Sequence, residues 1–243
     1  MKYGIQMYSL RTVAGQDLKK ALETVAAIGY KGVECAGFFG NDAEVVLSWV
    51  KELGLEVYST HTSVKELEPE VIADTIKYHK ALGNKLIIIP GFSAKTREDF
   101  DAIIDTINFA QPVLAKEGIT LAFHNHYKEF SMTDYGALIM QEFIDKTNIS
   151  FQLDTFWAFY AGKDPVAVME ELYKMGRLVS IHLKDGLSDR SGRSLGEGEA
   201  PVVKVLDKAI EMGLPVVVES EGEDPTGPDE VGRCFAFLDS LGK

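Results

Sequence analysis

Several ionisable side chains stand where short apolar runs come to an end. Residues 150–154 run Ser-Phe-Gln-Leu-Asp into Asp154, residues 179–184 carry His182 and Lys184, and residues 215–220 carry Glu219, with Glu221 just beyond. A further run, residues 120–124, opens into His124-Asn125-His126-Tyr127-Lys128-Glu129-Phe130, and residues 56–60 lead directly to His61. A buried strand that ends in a charge is costly unless the charge is paired, hydrated or bound to metal. Asp154, His182 and Glu219 come from three successive runs, so carboxylate, imidazole and carboxylate would ring one opening. That mixture of oxygen and nitrogen donors suits Mn²⁺, Mg²⁺, Co²⁺ or Zn²⁺ rather than a thiolate-seeking metal.

The elements that would position these groups repeat along the whole chain. Short apolar runs at 4–8, 32–35, 56–60, 85–90, 120–124, 150–154, 179–184 and 215–220 read as strands. Segments with helical period follow them at 17–28, 42–53, 70–82, 96–117, 165–175, 202–212 and 228–241, with a shorter one at 135–144. Ile87-Ile88-Ile89 and Val216-Val217-Val218 are apolar on both faces, as parallel strands under helices must be. Pro165 and Pro228 fit the first turn of a helix, where the missing N–H costs nothing. Eight βα units with no linker between them predict one α/β domain over residues 1–243, a (β/α)₈ TIM barrel. In such barrels the chemistry gathers at the C-terminal ends of the strands, which is where the ionisable groups stand.

Composition narrows the function. Among 243 residues, a formal net charge of −12 without a dense Lys/Arg run argues against a nucleic-acid partner. No apolar run approaches the ~20 residues that span a bilayer, and the first residues read as a strand rather than a leader, so a cytoplasmic location is expected. Neither a Gly-rich dinucleotide turn nor a P-loop follows any strand. The two cysteines, Cys35 and Cys234, are expected to be packing residues. Homo-oligomer formation stays open, because one sequence shows no interface.

The sequence resembles the xylose-isomerase-like superfamily of sugar (and sugar phosphate) isomerases and epimerases, to which inosose dehydratase and endonuclease IV also belong. The resemblance spans essentially the whole chain. It is carried by Asp154-Thr155, by His182-Leu183-Lys184-Asp185, by Leu195-Gly196-Glu197-Gly198 and by Glu219-Ser220-Glu221. The stretch from Glu219 to Pro225 is similar to the last-strand motif of inosose dehydratases. The resemblance implies one divalent metal, manganese foremost, held by Asp154, His182 and Glu219. The family's fourth ligand is a glutamate on the fifth strand, and here His124 aligns with it. Glu129, in the same loop, is the favoured replacement, as in a subgroup with the pattern H-N-H-x-x-E-F; His124 and His126 are the alternatives.

On this reading the substrate is a small carbohydrate with a ketone beside a hydroxyl. The metal would polarise the carbonyl and stabilise the enediolate formed when the adjacent proton leaves. Glu129 or Glu219 would take that proton. Its return gives isomerisation or epimerisation, whereas loss of a β-substituent makes the protein a dehydratase or lyase acting on a keto-polyol or keto-glycoside. His61, His124, His126, Trp157, Lys184 and Glu221 are candidates for substrate contact. Each has a plainer reading: His61 as a polar residue of the barrel mouth, Trp157 as core, Lys184 in a salt bridge to Asp185 or Glu219. A nuclease would need more metal ligands than five histidines and this acidity offer, and a sugar-binding barrel without catalysis is the remaining alternative.

Overall fold

In a computed structural model of the chain, which describes residues 2–243, eight parallel strands close into a barrel in the order 1-8-7-6-5-4-3-2. The strands are Gly4–Gln6, Gly32–Cys35, Glu56–His61, Leu86–Ile89, Thr120–His124, Ser150–Asp154, Leu178–Leu183 and Val216–Val218. Helices Leu18–Ile28, Ala43–Glu52, Ile72–Leu82, Arg97–Lys116, Ile139–Lys146, Pro165–Lys174, Val202–Met212 and Gly227–Ser240 surround it. The expected (β/α)₈ barrel is therefore present as a single domain. Strand and helix limits shift from the expected ones by a few residues, most at the fifth helix, which starts at Ile139 rather than near 135.

Two elements differ from expectation. Residues after Asp154 turn at once into a short helix, Thr155–Tyr160, because the Asp154 carboxylate caps it by accepting the Trp157 backbone N–H at 2.8 Å. The Gly-rich loop after the seventh strand contains a small hairpin, Asp185–Gly186 paired with Gly192–Arg193. Asp185 then pins the rest of that loop, accepting backbone N–H groups of Gly196, Gly198 and Ala200 at 2.9, 3.0 and 3.1 Å. Among the described residues no helix is long and apolar enough to cross a membrane. Cys35 and Cys234 are both free and buried.

Between the strands and the outer helices the core is aliphatic and aromatic, with Phe92, Phe100, Phe123 and Phe143 packed ring to ring. Inside the barrel the filling is not apolar throughout. Gln6, Glu34, Ser59, Gln152 and His182 form a fully buried polar layer beneath the strand ends. Beside that layer the third strand carries one extra residue, Tyr58, opposite Val33/Glu34, and the seventh carries one, Val179, opposite Phe151/Gln152.

A second buried polar cluster sits under the third strand. His79, 2 % exposed, accepts at Nδ1 from the Asn84 amide (3.1 Å) and lies 3.4 Å from the Thr62 hydroxyl. Burial lowers its pKa to about 4, and a second ring proton would also face the Asn84 donor. The unfolded chain takes up a proton on this histidine near pH 6.5, the folded chain only near pH 4, so stability falls as pH drops through that window. Between pH 7 and pH 5 the wild type should lose about 2 kcal/mol more than a His79→Gln variant. Urea unfolding of both proteins at the two pH values checks this; equal losses would mean that His79 is protonated in the fold.

Candidate metal and substrate site

The fifth, sixth and seventh strands run in adjacent register, with His124 opposite Gln152 and Asp154 opposite His182. Glu219 follows the eighth strand directly, its backbone N–H donating to Leu183 O at 3.2 Å. The barrel thus brings His124, Asp154, His182 and Glu219 together: each offers one donor atom, and these atoms lie within 4.8 Å of one another. All four are buried. His61, His124 and His182 form a second such group around the same point.

Two of the atoms facing the centre lack hydrogen-bond partners. Asp154 uses Oδ1 as the helix cap, but its Oδ2 accepts no hydrogen bond and lies 3.9 Å from His124 Nε2 and 3.8 Å from Lys184 Nζ. His182 Nδ1 is likewise unpartnered: Glu219 Oε2 is 3.3 Å away without hydrogen-bond geometry. Its other nitrogen, Nε2, meets Glu34 Oε1 at 2.6 Å. Buried polar atoms are rarely left unpaired in native proteins. Two buried carboxylates and two buried imidazoles make a donor set that fits a divalent ion of the Mn, Co or Zn type.

Electrostatics agree with that fit. Burial, helped by the charges of His182 and His61, holds the His124 pKa well below the ordinary value, so the ring is neutral and its lone pair is available. Burial works against charge on Glu219, yet Lys184 and His182 outweigh it and keep the carboxyl well below its usual range. Burial with the nearby Glu219 raises Asp154 to about 7 despite Lys184. For His182, burial is overcome by Glu34 and Glu219, which lift it to about 10. The cluster therefore pairs an ionised Glu219 and a neutral His124 with the raised Asp154 and His182.

Above the cluster lies a cavity of about 340 Å³, lined by Tyr8, His61, His124, His126, Glu219 and Glu221 together with Ala36 and Pro90. This is the size range of small-molecule pockets. Lys184, 1 % exposed, stands at its side with Nζ 2.7 Å from Glu221 and 3.2 Å from Glu219. Of the partners expected for it, Glu219 is engaged and Asp185 is not, since neighbouring strand residues face opposite ways. Trp157, 8 % exposed, lies under Lys184, whose Nζ is 4.8 Å from the ring centre, and packs against Phe156, Tyr127 and Tyr160. It supports the ammonium from below and does not line the cavity.

Glu129 stands apart from the cluster. It lies in a short helical turn, Lys128–Phe130, and its carboxylate accepts the backbone N–H of His126 at 2.8 Å. The fourth donor brought to the centre is instead His124, the residue at the end of the fifth strand. Glu34 is the functional candidate that sequence reasoning missed. Its signal was present: a glutamate inside the apolar run Gly32–Cys35 is as costly as one at a strand end.

Comparison with known proteins follows the same lines. An inosose dehydratase from Mesomycoplasma hyopneumoniae (strain 7448) is 27% identical, over 68% of this chain and 61% of that protein. One from Geobacillus thermodenitrificans (strain NG80-2) is 23% identical, over 69% of this chain and 63% of its own length. The chain thus spans less than two thirds of these curated relatives. Among solved structures, a sugar phosphate isomerase/epimerase from Parabacteroides distasonis ATCC 8503 superposes with a TM-score of 0.82 at 24% identity, covering 98% of this chain and 95% of that one. That likeness speaks for the barrel alone. The model of the xylose isomerase-like TIM barrel family matches residues 22–241, and the chain belongs to that family.

Proposed function

We propose that this protein is a metal-dependent enzyme that removes the proton beside the carbonyl of a keto-sugar or keto-polyol and returns it to give an isomer or epimer. The observation that carries the reading is the set of unpartnered buried donors, Asp154 Oδ2 and His182 Nδ1, converging with His124 and Glu219 on the floor of a sugar-sized polar cavity. His124, Asp154, His182 and Glu219 would hold the ion. A divalent ion bound there supplies Lewis acidity towards a carbonyl and offsets the negative charge that develops on its oxygen.

The chain's own groups divide the remaining work. Glu219, kept ionised by Lys184 and His182, is the carboxylate that takes the proton. His61, His126 and Glu221 line the cavity and bind substrate hydroxyls. Lys184 holds Glu219 and Glu221 in place. Glu129 fixes the His126 loop through its bond to the backbone.

A second reading has its own support. With His124 rather than a carboxylate at the end of the fifth strand, the centre has one acid–base carboxylate fewer for returning a proton. Loss of a β-hydroxyl or β-alkoxyl from the same enediolate needs no such return, and the curated relatives are inosose dehydratases. Incubating the Mn²⁺-loaded protein with keto-sugars, inososes and keto-glycosides in D₂O, with NMR of the products, separates the two. Deuterium at the carbon beside the carbonyl together with a new stereo- or positional isomer is the expected result. An unsaturated or cleaved product establishes elimination instead. A metal-loaded protein that exchanges no deuterium and forms no product with any of these would overturn both readings.

A further inference from the structure

Glu34 makes no contact with the cavity, yet it is wired to the centre more densely than any other acidic group there. It is fully buried in the second strand, in register with Gln6 of the first strand and Ser59 of the third. Its Oε1 receives the Gln6 amide at 2.6 Å and His182 Nε2 at 2.6 Å; His61 Nε2, 3.0 Å away, makes its hydrogen bond to Gln152 Oε1 at 3.2 Å. Its Oε2 receives the Gln152 amide at 2.6 Å and the Ser59 hydroxyl. Gln6 is held with its amide nitrogen towards Glu34 because its own oxygen accepts the Tyr8 backbone N–H at 3.0 Å.

Only a group that accepts everywhere and donates nowhere satisfies four converging donors, and an ionised carboxylate is that group; Gln152, its amide nitrogen held by Glu34, turns its oxygen to His61 Nε2. A histidine that donates from Nε2 presents its lone pair at Nδ1. For His182 that nitrogen is the unpartnered atom in the cluster; for His61, whose ring stacks 5.4 Å from that of His182, it is the one left free beside the cavity.

We propose that Glu34 is a positioning residue that locks His182 and His61 together as Nε2–H imidazoles, so that one presents Nδ1 to the metal and the other presents Nδ1 to a substrate hydroxyl. The inference rests on reading the cluster as a metal centre. It also links the two functions: one carboxylate orients a metal ligand directly and a substrate contact through Gln152, so a change at Glu34 disturbs both. Outer carboxylates of this kind typically change metal affinity by roughly 10–100-fold when removed.

Glu34→Gln is nearly isosteric but sets an amide N–H₂ against donors on one side of the group. The test uses the full-length protein, wild type and variant, with Zn²⁺ as the probe ion. Titration calorimetry reads the affinity, and ¹⁵N-edited NMR of the imidazoles reads which ring nitrogens carry slowly exchanging protons. In the wild type both His182 and His61 should show a protected Nε2–H with or without Zn²⁺. In Glu34→Gln these signals should be lost and Zn²⁺ binding weakened by roughly 10–100-fold, while Glu34→Asp, which keeps the charge, should retain the protected protons. If Glu34→Gln does not fold, the Glu34→Asp spectrum and a wild-type assignment to Nδ1–H still decide the question. Wild-type affinity and an unchanged tautomer in Glu34→Gln would overturn the proposal. A wild type that shows both protected protons but binds no Zn²⁺ would instead overturn the metal reading and leave the locking role standing.

Discussion

Replacing Asp154 with asparagine is expected to weaken divalent-ion binding by roughly 10²–10³-fold while leaving the metal-free protein at least as stable as the wild type. The first part follows from the size of a ligand's share: about 10–16 kcal/mol for a four-ligand zinc site is roughly 3–4 kcal/mol per ligand. The second part follows from the cost that the carboxylate carries when no ion is present. Burial and the neighbouring Glu219 raise its pKa to about 7, well above the value in an unfolded chain. A group raised in this way favours the fold when protonated, and that contribution is lost as pH rises from about 4 through 7. Above pH 7 the metal-free wild type bears the full cost, whereas asparagine bears none. Asparagine also still offers Oδ1 to the Trp157 N–H, so the helix Thr155–Tyr160 keeps its cap. Calorimetric titration with Mn²⁺ and thermal melts at pH 8 check both parts. A variant that binds Mn²⁺ like the wild type, or that melts lower without metal, would mean that Asp154 serves the fold rather than an ion.

Lys184→Met is expected to act in the opposite sense. Lys184 is fully buried, and although burial disfavours its charge, Glu219, Asp154 and Glu221 hold its pKa above the ordinary lysine value. Methionine fills a similar volume but leaves those carboxylates without their cation. Breaking a buried charge pair in this way costs about 3–5 kcal/mol, which corresponds to a drop in melting temperature of roughly 10 °C for a chain of this size. A bound divalent ion would neutralise the same carboxylates, so the drop should be much smaller in Mn²⁺ and the variant should bind Mn²⁺ more tightly than the wild type. Melting curves with and without Mn²⁺ decide the matter. Equal losses in both conditions would show Lys184 to be a packing residue with a charge, with no energetic link to an ion.

The opposed effects of these two changes reflect how the site was encoded. Asp154 and His182 were legible because each ends or interrupts an apolar strand, and the closed barrel then had to gather them at one rim. The same logic identifies Glu219. The fourth donor was harder, because His124 ends the fifth strand and Glu129 lies five residues on in the turn Lys128–Phe130, both beside the same rim. That turn depends on the carboxylate of Glu129 bonding to the His126 backbone, a local competition that residue spacing does not reveal. Residue spacing does not separate the two oxygens of Asp154, of which Oδ1 caps the helix and Oδ2 has no hydrogen-bond partner.

Glu34 escaped for a different reason. Its side chain shares the inward face with Gln6, its register partner on the first strand, and its other partners come from the third, sixth and seventh strands. Such a layer exists only once the barrel has closed. The short helix Thr155–Tyr160 was hidden in the same way, since its aromatic residues read equally well as wall or core until the Lys184–Trp157 contact was formed.

The most direct test of a metal centre at His124, Asp154, His182 and Glu219 is elemental analysis of the purified protein after Mn²⁺ loading and desalting, paired with melts before and after chelation. One ion retained per chain, lost on chelation together with a lower melting temperature, is the expected result. A wild type that retains no ion and melts identically with and without chelator would contradict it.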